Sequence, residues 1–246
     1  PKIENYYMHA TTPSIYKPVT KQFTLGGNGA AYGASTKTGA GWAYNADNGF
    51  AVSSNVVSGN NGLLTNEQPI SWATQVGFTK PQYSASLMVN QKYNGWEDGY
   101  FSTSQGHKRL VDGASGAQNA NSTNYGLRAW WRPLDTGTAT PSISLGYDMS
   151  TIDAADVGGS IDETDAWFVG LNWADIFQAD DKIGLAFGQP QTREDETVDP
   201  FAYEAYYEFK VNDSVTVTPT IFGGADRNGT AGDDIFGTVL QTTFKF

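Results

Sequence analysis

Eleven segments of this chain alternate, residue by residue, between large apolar or aromatic side chains and small polar ones. A period of two is the mark of β-strands, and no stripe at helical spacing interrupts it. The last segment shows the pattern most plainly. Phe236, Thr238, Leu240, Thr242, Phe244 and Phe246 alternate with Gly237, Val239, Gln241, Thr243 and Lys245. Ala40–Tyr44, Phe50–Val56, Trp72–Phe78, Tyr83–Val89, Tyr125–Trp131, Ile143–Met149, Trp167–Trp173, Ile183–Phe187, Phe201–Phe209 and Val215–Ile221 behave in the same way. The expectation is an all-β chain, and the ending on Phe246 suits the final strand of a membrane barrel better than the polar, frayed terminus of a soluble domain.

Composition removes several classes. With no Cys among 246 residues there is no disulfide framework and no Cys-ligated metal site. No window approaches the roughly 18 consecutive apolar residues of a spanning helix, so any membrane crossing is made by strands. The net charge of −11 and the scattered Lys and Arg argue against a nucleic-acid partner. No secretory signal opens the chain, and its start at Pro1-Lys2-Ile3 reads as a processed or truncated product.

One side of the alternation is small and polar; the other is apolar and rich in rings. The packed interior of a soluble sandwich favours Val, Ile and Leu. Here Trp42, Trp72, Trp131, Trp167, Trp173, Phe201 and Phe246 stand near the ends of the segments, where the aromatic belts of a membrane protein lie. Short connections (46–49, 80–81, 135–139, 177–181, 211–213) alternate with long polar ones (58–70, 93–123, 150–164, 189–200, 223–235). Short periplasmic turns and long external loops are the pattern of a transmembrane antiparallel β-barrel.

Eleven strands is an odd number, whereas bacterial single-chain barrels have even counts. The expectation is therefore a porin of about sixteen strands with about five lying before Pro1. Residues 38–246 then form the eleven up-and-down strands, and residues 1–37 form the third external loop, which in general porins folds inward as a constriction. Lys2, Glu4, Lys17, Lys21 and Lys37 give that loop charge, and Tyr6, Tyr7, Tyr16 and Tyr32 give it flat faces for sugars or for packing on the wall.

Lys92, Arg128, Arg132, Asp148, Lys182, Glu204, Glu208, Lys210 and Lys245 fall on the small, polar side. A mid-membrane Arg or Lys facing lipid costs about 2–4 kcal/mol, so these residues line the pore if the barrel is real. Arg128 and Asp148, on neighbouring strands, are equally suited to pair with each other.

Enzymatic chemistry has little to work with. His9 and His107 both lie in expected loops, and no strand supplies a His. The run Gly26-Gly27-Asn28-Gly29 lacks the Lys-Ser/Thr of a phosphate loop. The acidic clusters Asp153, Asp156, Asp162, Glu163 and Asp165, and Asp226, Asp233 and Asp234, match no calcium-loop pattern. No catalytic residue, metal or cofactor is expected.

Pro1-Lys2-Ile3, Pro13-Ser14-Ile15-Tyr16, Leu25 to Gly33, Phe201 to Tyr207, Val215 to Pro219 and Thr242 to Phe246 resemble stretches of cyanobacterial outer-membrane porins of the carbohydrate-selective (OprB-like) family, many of which are labelled iron-uptake porins. The resemblance implies homotrimeric channels in the outer membrane passing sugars, other small hydrophilic solutes or inorganic ions such as iron. Members also carry an N-terminal cell-wall-binding domain and coiled coil, of which nothing is found here. Two other classes compete with a porin: a structural anchor or surface receptor with a plugged lumen, and a soluble secreted β-sandwich carbohydrate-binding protein.

Overall fold

The computed structural model describes residues 2–4, 14–20, 36–58, 69–94, 121–153, 163–194 and 196–245. These residues form β1 (Lys2–Glu4), β2 (Thr36–Asn45), β3 (Phe50–Ser58), β4 (Ile70–Thr79), β5 (Tyr83–Tyr93), β6 (Asn121–Trp131), β7 (Ser142–Asp153), β8 (Glu163–Ala174), β9 (Lys182–Arg193), β10 (Phe201–Asn212), β11 (Val215–Ala225) and β12 (Ile235–Phe244). All lie in one sheet in chain order, and every ladder is antiparallel. Among the described residues there is no α-helix, only a 3-10 turn at Arg227–Gly229. A sandwich needs two packed sheets, and the described residues form one.

The eleven long strands are those the alternation predicts. The twelfth, β1, escapes it because three residues are too few to show a period. Lys2 pairs with Thr38, Ile3 with Lys37 and Glu4 with Thr36. This corrects the expectation of one continuous loop over residues 1–37: Lys2 and Glu4 belong to a strand, and β2 begins at Thr36. Among the described residues β12 pairs with β11 and not with β1, so the sheet is open.

The contrast in connection length is also weaker than the alternation suggests. Backbone pairing carries β9 to Arg193 and β11 to Ala225, well into the expected loops. The connection after β9 shrinks to 194–200, whereas that between β6 and β7 spans 132–141. Pro133 and Pro141 lack the N–H that would extend the ladder, which limits β6 and β7 at that end.

Burial separates the two faces. Ser53 and Asn55 on β3, Ser71 and Gln75 on β4, Ser84 and Asn90 on β5, Asn124 on β6 and Ser144 and Ser150 on β7 are buried. Phe50, Trp72, Val76, Tyr83, Leu87, Leu127, Trp131, Leu145 and Tyr147, on the opposite face of the same strands, are exposed. A soluble sheet does the reverse, since apolar burial at about 25 cal/mol per Å² is its main driving force. The strands near the two ends of the meander differ from the rest. The described part of β2 and nearly all of β12 are exposed on both faces.

The β8–β9 connection is organised by one carboxylate. Asp175 and Asp180 adopt left-handed backbone (φ 59° and 65°), which Asp tolerates better than most residues. The chain thereby curls so that the N–H groups of Ile176, Phe177 and Gln178 donate to Asp181 at 2.8, 2.9 and 3.1 Å, joined by the Tyr207 hydroxyl at 3.0 Å. Burial pushes the Asp181 carboxyl up, but the donors outweigh it and hold the carboxyl below its usual range. A carboxyl held low in the folded state stabilises above its unfolded pKa, and that stabilisation is lost as pH falls through the lowered value. The protection factors of the Phe177 and Gln178 amides, exchange measured against the intrinsic rate at each pH, are therefore expected to stay high at neutral pH and to fall only on acidification below the ordinary Asp range. In Asp181→Asn the protection factors should be lower and should lose this pH dependence.

Candidate functional site: a segment latched onto the polar face

Residues 14–20 cross the polar face of β7 to β10. The Ser144 hydroxyl on β7 accepts the N–H groups of Ile15 and Tyr16 at 3.2 and 3.1 Å. Tyr16 then enters a small core with Phe168, Ala186, Ala202 and Tyr206, against which Val19 packs. Two strand glycines make the room. A Cβ at Gly170 would lie 2.6 Å from the Tyr16 ring, and one at Gly184 would lie 2.1 Å from the Tyr206 ring. Gly inside a strand often marks such a close approach. The two tyrosine rings lie 6.1 Å apart, tilted by 49°, and the Tyr206 hydroxyl accepts from Asn172 Nδ2 at 2.9 Å.

Glu204 on β10 holds the segment. It has no exposed surface. Oε1 accepts the Tyr16 hydroxyl at 2.9 Å and the Val19 N–H at 3.0 Å, while Oε2 accepts the Thr20 N–H at 2.5 Å. Burying a carboxylate costs several kcal/mol. Charge-assisted bonds worth about 1.5–3 kcal/mol each offset that cost. Burial first, then the Glu204 charge, pushes the Tyr16 phenol well above its ordinary range, so it remains a donor.

The other expected pore-lining residues are placed as follows. Arg128 and Asp148 form a bidentate pair, Nη1 to Oδ1 and Nη2 to Oδ2 both at 2.7 Å, buried on adjacent strands. Lys92 is buried on the same face. At the end bearing the β8–β9 turn, Lys182 pairs with Glu208 at 2.8 Å, and Lys210 with Asp180 and Asp213 at 3.2 Å each. Arg132 stands just beyond β6, its guanidinium 5.6 Å from the Trp130 ring centroid. Lys245 follows β12 and is exposed. Lys17 is exposed beside the buried Tyr16; Tyr6, Tyr7, Lys21, Tyr32 and Phe246 lie outside the described residues. Glu204 is thus spent on anchoring a segment and faces no open space.

The apolar face carries almost no charge. Among strand positions with described side chains, it holds only Glu163 and Asp165, in the first turn-proximal residues of β8. Trp72, Trp131 and Trp173 lie at or within two residues of strand ends, whereas Trp42 and Trp167 fall inside β2 and β8. The indole N–H of Trp72 donates to Ser54, that of Trp167 to Gln189 and that of Trp173 to the Ala139 carbonyl.

Alternation alone missed Ser144, Gly170, Gly184, Asn172 and Tyr206 as parts of the seat. Gly170, the one glycine of β8, and Gly184 on β9 were the readable signal. Comparison with protein-family models, with curated proteins and with solved structures finds no match.

Two outcomes follow from this geometry. Glu204→Gln replaces one acceptor oxygen by NH₂ and leaves at least one buried donor without an acceptor, at a cost of about 1–3 kcal/mol. Limited proteolysis within residues 14–20 should speed up in that variant and more weakly in Tyr16→Phe. Removing either member of the Arg128–Asp148 pair should cost about 3–5 kcal/mol in denaturant unfolding. The Arg128→Met/Asp148→Leu double variant should cost less than the two single changes combined.

Proposed function

We propose that this chain forms the wall of a β-barrel in the outer membrane and acts as a porin, passing small hydrophilic solutes or inorganic ions by passive diffusion. The observation that carries this reading is the inversion of the two faces. Side chains that burial would normally claim, such as Leu87, Leu127 and Leu145, are exposed, while Ser, Asn, Arg and Asp of the same strands are covered. Water makes that arrangement unfavourable; a bilayer around the apolar face makes it favourable, since a lipid-facing surface tolerates few charges. An up-and-down antiparallel meander is the topology such a barrel uses, and the reading requires that the edges β1 and β12 be paired in the bilayer.

Within that reading, residues 14–20 narrow the lumen and Glu204 keeps them against the wall. The sugars or ions implied by the resemblance to carbohydrate-selective porins are the solutes, and the homotrimer is the assembly. No catalytic step or cofactor is required. A second reading, a receptor or anchor with a filled lumen, is favoured by one observation: Asn90, Asp148 and Glu204 have no exposed surface.

Planar-bilayer recording separates the two. A porin gives stepwise, voltage-tolerant ion conductance, and Glu204→Ala raises the step by freeing the latched segment. No current from protein that has demonstrably inserted would favour the filled barrel. Recovery of folded protein in buffer without detergent would remove both.

A further inference from the structure

The apolar face is not uniform. β5 to β9 each turn one leucine outward (Leu87, Leu127, Leu145, Leu171 and Leu185), whereas β2, β3 and β4 contain no leucine. The outward positions of these three strands include Thr38, Ala40, Ser54 and Thr74 instead. Trp42, Ser54 and Thr74 stand in one row, because Trp42 pairs with Ser54 and Ser54 with Thr74 across successive ladders.

Hydrogen bonding in this row is incomplete. The Trp72 indole N–H donates to Ser54 Oγ at 2.8 Å, and the Ser54 and Thr74 hydroxyls share one bond at 2.9 Å. Whichever hydroxyl donates in that bond, the proton of the other has no acceptor among the described residues. Ser54 lies between β2 and β4, and Thr74 between β3 and β5, so no further strand can enter beside them. An acceptor for that proton comes from above the face. The Trp42 indole is exposed at 59% and likewise has no partner among the described residues. Acyl chains accept no hydrogen bonds, and a hydroxyl or indole donor left unpaired in apolar surroundings is unfavourable.

We propose that the outward face of β2 to β4 docks against a second copy of this chain, side by side in the bilayer, through Trp42, Ser54 and Thr74. The contact rests on the membrane reading above and gives its oligomer a face. A second copy is the occupant because the row carries what it lacks. Its leftover donors, the Trp42 N–H and one hydroxyl, are matched by the leftover lone pairs of Ser54 and Thr74, each hydroxyl oxygen accepting up to two bonds. The donor stands on β2 and the acceptors on β3 and β4, so a neighbour that presents its β4 to this β2 satisfies both; head-to-tail contacts of this kind close into rings. Small and hydroxyl side chains mark protein contacts between membrane helices, by letting backbones approach and by bonding across the interface. Thr38, Ala40, Ser54 and Thr74 offer the same on strands, and the leucines of β5 to β9 are left to lipid.

Thiol cross-linking in lipid vesicles at low protein density tests this, since the chain has no Cys of its own. With a short bifunctional thiol reagent, Val56→Cys, two residues from Ser54 on the outward side of β3, is expected to yield linked copies. Leu127→Cys on β6 should remain single. Adding Ser54→Leu/Thr74→Leu to Val56→Cys keeps the face apolar but removes the hydroxyls, and should raise the protein density needed for linking roughly tenfold. Val56→Cys alone leaves both hydroxyls in place, so it stays informative if the leucine variant does not fold. Equal linking at positions 56 and 127, linking unchanged by the two leucines, or Val56→Cys that stays single overturns the contact while leaving membrane insertion intact. In native membranes, capture of a different protein in place of a second copy also overturns it. Failure of the wild type to insert into vesicles overturns the membrane reading itself, and the contact with it.

Discussion

The pleat of a single sheet, with nothing among the described residues packed on its apolar face, is the constraint on which the rest depends. Strand geometry sends alternate side chains to opposite faces, so a one-layer meander must leave one set without a protein partner. Here the set left bare is Trp72, Leu87, Leu127, Leu145 and Ile221. Among strand positions with described side chains, every charge is turned the other way apart from Glu163 and Asp165. The backbone of β3 to β11 is paired on both sides within the sheet, which is the condition a strand must meet where water cannot supply hydrogen bonds. The edges are β1 and β12, and the described part of β2 and nearly all of β12 are open to surroundings on both faces.

On the covered face, polarity is used for attachment. Glu204 and Ser144 bind backbone N–H groups of residues 15, 16, 19 and 20, groups that belong to no helix or strand. A buried loop backbone needs such partners, and two side chains projecting from the wall supply four of them. Gly170 and Gly184 then let aromatic rings approach the sheet closely enough to exclude water from the carboxylate. The Arg128–Asp148 pair does for β6 and β7 what Glu204 does for the segment, tying neighbouring elements through charge that is fully matched. The result is a sheet whose strand charges, among the described residues, are mostly paired within it.

Much of this was legible in the sequence because alternation is a local property. All eleven long strands and the facing of their side chains follow from spacing, and so does the neighbourhood of Arg128 and Asp148. Strand ends were less legible. Pairing between Phe201–Tyr203 and Gly223–Ala225 extends β11 through residues that show no contrast of polarity. β1 is defined wholly by its partner at 36–38. The seat of Tyr16 was the least legible, since Ser144, Gly170 and Glu204 come together only through the order of the strands and lie up to 188 positions from Tyr16. Glu204 looked like one more wall charge until its three donors were in place.

Lipid accessibility, read residue by residue, tests the inversion of faces most directly. The chain has no Cys, so single Cys substitutions from Ser84 to Leu87 and from Gly126 to Ala129, spin-labelled in bilayers, report each position without background. Collision with dioxygen, which concentrates in lipid, should peak at 85, 87, 127 and 129 and fall at 84, 86, 126 and 128, with the opposite alternation for a water-soluble nickel chelate wherever the polar face is reached. Peaks for dioxygen on the Ser84 and Ser86 side, or no difference between positions 85 and 87 and freely solvated sites, would contradict the account.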